Sequence, residues 1–252
     1  MAAQSVFRRF PRPSKLFGLD HRINKAELMD SSTCTNEEMS GALWFLKQTN
    51  RYFGGTAVML KHLKQFSRLW PADKTIHILD AGSGLADIPR AIALWAESKK
   101  IKVEITGLEL IPQIAEIARK QTINFSNIHI EQRNIFDLDE RNDSYDYVIA
   151  SLFLHHIDPL DLPLLLQKLG CIAKRGIILS DLERSLLGYS AVSLLSALIG
   201  NRIVRHDGPL SVQRSFTLCE MQELADSNGL EYLRAKRESF FRISLTGEKK
   251  LN

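Results

Sequence analysis

The chain has 252 residues, 44% of them hydrophobic and 25% charged, with a formal net charge of +4. That length admits one large domain, or one domain with a small cap. The weak basic excess is spread along the chain, which excludes the long basic stretches of a polynucleotide groove and leaves no strong nucleic-acid signal. Cys34, Cys171 and Cys219 are odd in number and lack any C-x-x-C spacing, which argues against a disulfide framework and structural zinc and fits a reducing, cytoplasmic compartment.

In chain order, "MAAQSVFRRFPRPSKLFGL" carries Arg8, Arg9, Arg12 and Lys15 with no acid and no apolar core of secretory type. Residues 1–30 are expected to form a basic, flexible tail, and 31–70 a helical N-terminal cap. Its first helix starts at "TNEE", where Thr35 and Glu38 can form a capping box, and ends at Gly54-Gly55. The second runs from about Thr56 to Phe66. The pair either packs over a sheet or enters a binding cleft.

From Ile76 the chain alternates. β-branched runs at 76–79, 102–107, 128–132, 145–150 and 176–180 are separated by amphipathic stretches at 88–98, 112–122 and 160–169. This is the pattern of parallel βαβ units in an open sheet with helices on both faces. Thr217 and Glu220 form a second capping box before a helix that Asn228-Gly229 stops. "LEYLRAK" and "SFFRISLTG" then follow too closely for a crossover helix, so they form an antiparallel hairpin. The expected fold is α/β, a Rossmann-like, seven-stranded, mostly parallel sheet over residues 71–252, with a helical insert at about 182–216. The insert's "SLLGYSAVSLLSALIG" is shorter than the ~20 residues of a membrane span and contains serines, so no transmembrane segment is expected.

The residues most informative about chemistry are "LDAGSGLADIP". Gly82 and Gly84 let backbone N–H groups approach a ligand, and Asp87 is placed as the N-cap of a helix beginning near Ile88. A dinucleotide fingerprint needs a small residue at the position of Asp87. Asp80 and Asp87 together disfavour a pyrophosphate and favour a ligand with a cationic end.

This stretch resembles motif I of the class I S-adenosylmethionine-dependent methyltransferases, an acid followed by G-x-G-x-G. Asp80, Gly82, Ser83 and Gly84 match, and Ala86 stands where the third glycine is usual. The resemblance continues through "VEITGLEL", "IEQRNIFDL" and "YDYVIASLFLHHI", and covers roughly residues 75 to 246. It implies that Glu109, with Leu110, meets the ribose hydroxyls, that Asn134 and Ile135 meet the adenine, and that Asp80, Gly82, Ser83, Gly84, Asp87 and Ser151 complete the cofactor site.

The implied reaction is direct displacement of a methyl group from S-adenosylmethionine onto a small acceptor. The chain has some likeness to bacterial methyltransferases of quinone and polyketide metabolism. His155 and His156, after the fourth strand, are candidate general bases, since a histidine titrates near neutrality. His206, in "RHDGPL", is a third candidate on what reads as a turn ended by Gly208-Pro209. Asp181 and Glu183 lack an evident third ligand, so no metal site is expected. The apolar insert helix reads either as a lid over a lipophilic or aromatic acceptor, or as a buried packing element. Alternatives are a protein or RNA substrate and a non-catalytic cofactor-binding module. The chain lacks both (Asp/Asn)-Pro-Pro-(Tyr/Phe) after the fourth strand, where "ASLF" stands, and the Pro-Cys nucleophile of cytosine-carbon enzymes. The oligomeric state is not legible.

Overall fold

The computed structural model describes residues 17–30 and 34–250. Seven strands form one sheet in the order β3-β2-β1-β4-β5-β7-β6. They are β1 (Ile76–Ala81), β2 (Val103–Glu109), β3 (Ile128–Gln132), β4 (Tyr145–Ser151), β5 (Ala173–Leu182), β6 (Arg234–Glu238) and β7 (Arg242–Glu248). The pairs among β1 to β5 are parallel. β7 runs antiparallel to both β5 and β6, as its closeness to β6 in sequence demands. The order reverses between β1 and β4, so the loops after these strands part and leave a crevice at their carboxyl ends.

Period-two alternation decides which helices cover which face. Ile76 and Ile78 of β1 and Tyr147 and Ile149 of β4 join one core, with α2 (Gly55–Phe66), α3 (Asp87–Ser98) and α4 (Pro112–Gln121) above them. Leu79, Ala81, Val148 and Ala150 join the opposite core, with α5 (Leu162–Ile172) and α8 (Leu218–Asp226). The strands are therefore apolar on both sides, as a doubly covered sheet requires.

The two N-terminal helices separate the two roles open to them. Met59, Leu63 and Phe66 of α2 are buried against the sheet. α1 (Asn36–Tyr52) stands off it, with Ala42 packed on Ile203 and Val204. Both expected capping boxes are formed, Thr35 with Glu38 and Thr217 with Glu220.

The insert after β5 is two helices, α6 (Leu186–Ala197) and α7 (Arg202–Arg214). "RHDGPL" is therefore inside a helix and is not a turn; Pro209 is accommodated within α7. Of the basic tail expected over residues 1–30, residues 1–16 lie outside the described residues. Residues 17–30 form a strap bound to the insert. Leu19 and Glu27 are buried, Arg22 donates to the carbonyls of Arg214 and Ile157, and Gln213 donates to the carbonyl of Phe17. The strap has no helical or strand periodicity, so its packing left no pattern in the sequence. Among the described residues, no helix is long and apolar enough to cross a membrane.

Candidate functional site

The crevice opens into a cavity of about 690 Å³ lined by the loops after β1, β2 and β4, by α1, and by the insert. The loop after β1 shapes one end. Gly82 has φ of +71°, and a Cβ there would strike the Phe153 ring at 2.5 Å. Gly84 has φ of +53° and open space where its Cβ would point. Ala86 also takes left-handed φ and ψ of 55° and 30°, which is costly for a residue with a Cβ. It occupies the N-cap position, so α3 starts at Asp87. The N-cap role expected of Asp87 is corrected: its carboxylate is carried into the first helical turn and lies in the cavity lining.

Three acids meet around this loop. Glu109, at the end of β2, accepts hydrogen bonds from the backbone N–H of Gly84 at 3.1 Å and of Ile111 at 2.9 Å. Asp80 is buried, and burial followed by the charges of Asp87 and Glu109 pushes its carboxyl well above the usual range. Burial likewise raises Asp87 and Glu109, against the hydrogen bonds that favour their ionised forms. No ion pair among the described residues reaches any of the three, and Asp87 Oδ2 is buried without a hydrogen-bond partner. Three clustered carboxyl groups without an ion-pair partner among the described residues, beside an open glycine backbone, fit a ligand with a positive end and disfavour a pyrophosphate.

The remaining cofactor candidates gather at the same end. Asn134 follows β3, and its Oδ1 accepts from the backbone N–H of Phe136 at 3.0 Å, which fixes its amide beside Ile135. All ten residues expected at the cofactor, Asp80, Gly82, Ser83, Gly84, Asp87, Glu109, Leu110, Asn134, Ile135 and Ser151, line this one cavity. Ser83 Oγ turns away toward Gly107, so the serine contributes backbone rather than hydroxyl.

The other end is apolar with one polar pole. Ala191, Val192 and Leu195 of α6, Leu46 of α1, and Phe240 and Phe241 of the β6–β7 turn form its walls, while Leu43 of α1 packs on Leu85 of the glycine loop. Both phenylalanines sit at positive φ, 60° and 56°, a strained arrangement for aromatic residues at a turn. α6 is neither fully buried nor fully lid: Leu187 and Leu194 face outward while Val192 and Leu195 face the cavity.

The polar pole is built on the single helical turn Leu154–His156 after β4. His155 Nδ1 lies 2.6 Å from Asp181 Oδ1, and the backbone N–H of His155 donates to Asp181 Oδ2 at 3.1 Å. Burial favours the neutral acid, but His155 and the N–H of Leu182 outweigh it and hold Asp181 below the usual range. This pairing holds the ring with Nδ1 on Asp181 and turns Nε2 toward Glu27 Oε1, 3.7 Å away. His156 is half-buried. Burial lowers its pKa, but Asp30 and Glu27 outweigh that and raise it. His206 is not brought to the cavity. Successive helical residues point ~100° apart, so α7 turns Asp207 inward and His206 to the side. Asp207 accepts from His206 Nδ1 at 2.7 Å and from the N–H groups of Leu28 and Met29.

Two contributors were not legible in the sequence. Glu27, read as part of a tail, is buried beside both histidines. Arg242, read only as a strand residue, is fully buried in the cavity lining. It donates to the Phe53 carbonyl at 2.9 Å, and burial pulls its pKa down to about 10. A sequence signal for either would have required knowing which distant segments meet.

Residues 78–176 match a family described as the methyltransferase domain. No curated protein has a significantly similar sequence. Among solved structures, magnesium protoporphyrin IX methyltransferase from Synechocystis PCC 6803, with bound S-adenosylhomocysteine, is 15% identical. The match covers 88% of this chain and 91% of that one, with a TM-score of 0.56. The plantazolicin methyltransferase in complex with S-adenosylhomocysteine is 12% identical over 86% of this chain and 92% of that one, with a TM-score of 0.63. The CMeT domain of the citrinin polyketide synthase is 16% identical over 74% of this chain and 49% of that one, with a TM-score of 0.57. At these identities the likeness is one of fold.

Proposed function

We propose, on the match of residues 78–176 to a methyltransferase domain, that the chain is a class I S-adenosylmethionine-dependent methyltransferase and that it methylates a small lipophilic or aromatic acceptor. One observation carries the proposal: a single cavity has three carboxyl groups around a glycine loop at one end and apolar walls with two histidines at the other. The cofactor supplies a methyl group already activated on a sulfonium. The chain's own contribution is to bind, orient and exclude water; good orientation is worth roughly 7–11 kcal/mol of a barrier.

In this reading Glu109 takes the ribose hydroxyls, Asn134 and Ile135 hold the adenine, and Asp80 and Asp87 face the cationic methionine end. Arg242 lies within the same lining as Asp87 and is placed to meet a carboxylate. α1 serves as a cap, and α6 with α7 as a lid, over the acceptor. Phe240, Phe241, Val192 and Leu195 select a greasy body, while His155 and His156 receive its nucleophilic end. His155 Nε2 takes the proton of a hydroxyl acceptor while Asp181 holds the ring, an arrangement worth ~10²–10⁴-fold. We place this activity in the reducing cytoplasm on the strength of the cysteine pattern.

The test is labelled methyl transfer into a cell extract separated into lipid, small-molecule, peptide and RNA fractions. Label in an organic-extractable small molecule supports the proposal. Label confined to RNA or protein sinks it.

A further inference from the structure

We infer that the polar pole of the cavity is a divalent-cation site, with Glu27, His155 and His156 as its ligands. His155 Nε2 lies 3.7 Å from Glu27 Oε1, and His156 Nε2 lies 3.9 Å from Glu27 Oε2. The three ligating atoms fall within 4.8 Å of one another. These separations are too long for hydrogen bonds, so the three side chains cluster without bonding each other. Two donors each ~2.1 Å from one tetrahedral ion sit ~3.4 Å apart. Glu27 reaches His155 through one carboxylate oxygen and His156 through the other, and closing all three ligand atoms, now within 4.8 Å of one another, on one ion requires a side-chain adjustment of up to about 1.4 Å.

The surroundings are those of a held ligand set. His155 Nδ1 is anchored on Asp181 at 2.6 Å, and His156 Nδ1 faces Asp30 Oδ2 at 3.5 Å. Both imidazoles therefore direct Nε2 at the cavity, with carboxylates behind them, which raises ligand basicity and fixes the ring. Ser211 Oγ donates to Glu27 Oε1 at 3.0 Å and orients the carboxylate. The rival cation is Arg214, 4.0 Å from Glu27 and 3.9 Å from Asp30. Its guanidinium is committed elsewhere, to the carbonyls of Lys25, His155 and His156.

Two nitrogens and one carboxylate oxygen suit zinc or another first-row divalent ion, and three protein ligands leave a position open toward the cavity. On the methyl-transfer reading above, that position would take an oxygen of the acceptor; with the ion bound the histidine lone pairs serve as ligands, and the base role of His155 Nε2 belongs to the metal-free form. The expectation of no metal site rests on Asp181 and Glu183 alone, and the proposed ligands are other residues. Asp181 stands behind a ligand, and the third ligand comes from the N-terminal strap.

The test uses the full chain, stripped with chelator and titrated with Co²⁺ alone. Visible ligand-field absorption and metal content after gel filtration are read. Stoichiometric binding with a strong low-coordinate band is expected. Glu27→Gln and His156→Ala should each weaken it at least ~10-fold, and Asp181→Asn ~10–100-fold. Substoichiometric Co²⁺ on the wild-type protein overturns the inference, and so does an unchanged band in Glu27→Gln and His156→Ala. S-adenosylhomocysteine binding is measured on the same samples. Its absence from the wild-type protein would overturn the methyl-transfer reading and leave the metal result standing on its own.

Discussion

The carboxylate of Glu109 accepts a hydrogen bond from the backbone N–H of Gly84 at 3.1 Å, tying the end of β2 to the glycine loop after β1. The loop is thus held open by the same residue expected to grip the ribose. Hydrogen bonds to charged groups are worth ~1.5–3 kcal/mol. Glu109→Ala should therefore weaken S-adenosylhomocysteine binding by about 10–100-fold, as read by calorimetry. Unchanged affinity would show that Glu109 serves the loop alone.

Burial first, and mutual repulsion second, raises Asp80; burial raises Asp87 and Glu109 as well. A carboxyl whose folded pKa is raised stabilises the fold fully below the ordinary carboxylate range and loses that contribution as pH rises through the raised value. A cationic ligand prefers the ionised form, so it opposes this loss. The thermal shift produced by S-adenosylmethionine should grow with pH across the mildly acidic range, with protons released on binding there. A shift that is flat from mildly acidic to mildly alkaline pH would contradict this.

Ala86 pays for its left-handed backbone with roughly 1–2 kcal/mol. Glycine removes that strain but adds ~0.4–1 kcal/mol of unfolded-state entropy. Ala86→Gly should give a net stabilisation of about 0.5 kcal/mol, a rise in Tm of about 1–2 °C for a domain of this size. A clear fall in Tm would mean that the buried methyl group matters more than the strain.

Val192 faces the cavity from α6 and touches none of the cofactor candidates' hydrogen bonds. A carboxylate placed there costs a few kcal/mol against an apolar guest. Val192→Asp should raise KM for a lipophilic acceptor by about 10–100-fold while S-adenosylhomocysteine affinity stays the same. An unaltered KM would move the acceptor away from the insert.

The sequence by itself determined what short-range physics controls. Period-two runs announced the strands, and the capping boxes at Thr35 and Thr217 announced two helix starts. The tight spacing of the last two strands forced an antiparallel hairpin. The loop from Asp80 to Asp87 carries its ligand preference in its own glycines and acids, because parallel crossovers bring strand-end residues to one edge whatever else happens.

Only the tertiary structure decided the histidine end of the cavity. His206 and Asp207 are neighbours in sequence, yet a helix sends one inward and the other aside. Glu27 lies in a strap without periodicity and acquires its meaning only when α7 and the turn after β4 close over it. Arg242 reads as a polar strand residue, and burial alone turns it into part of the cavity. Local propensity depends on residues a few positions apart, whereas a polar cluster in a cavity depends on which distant segments share one desolvated volume.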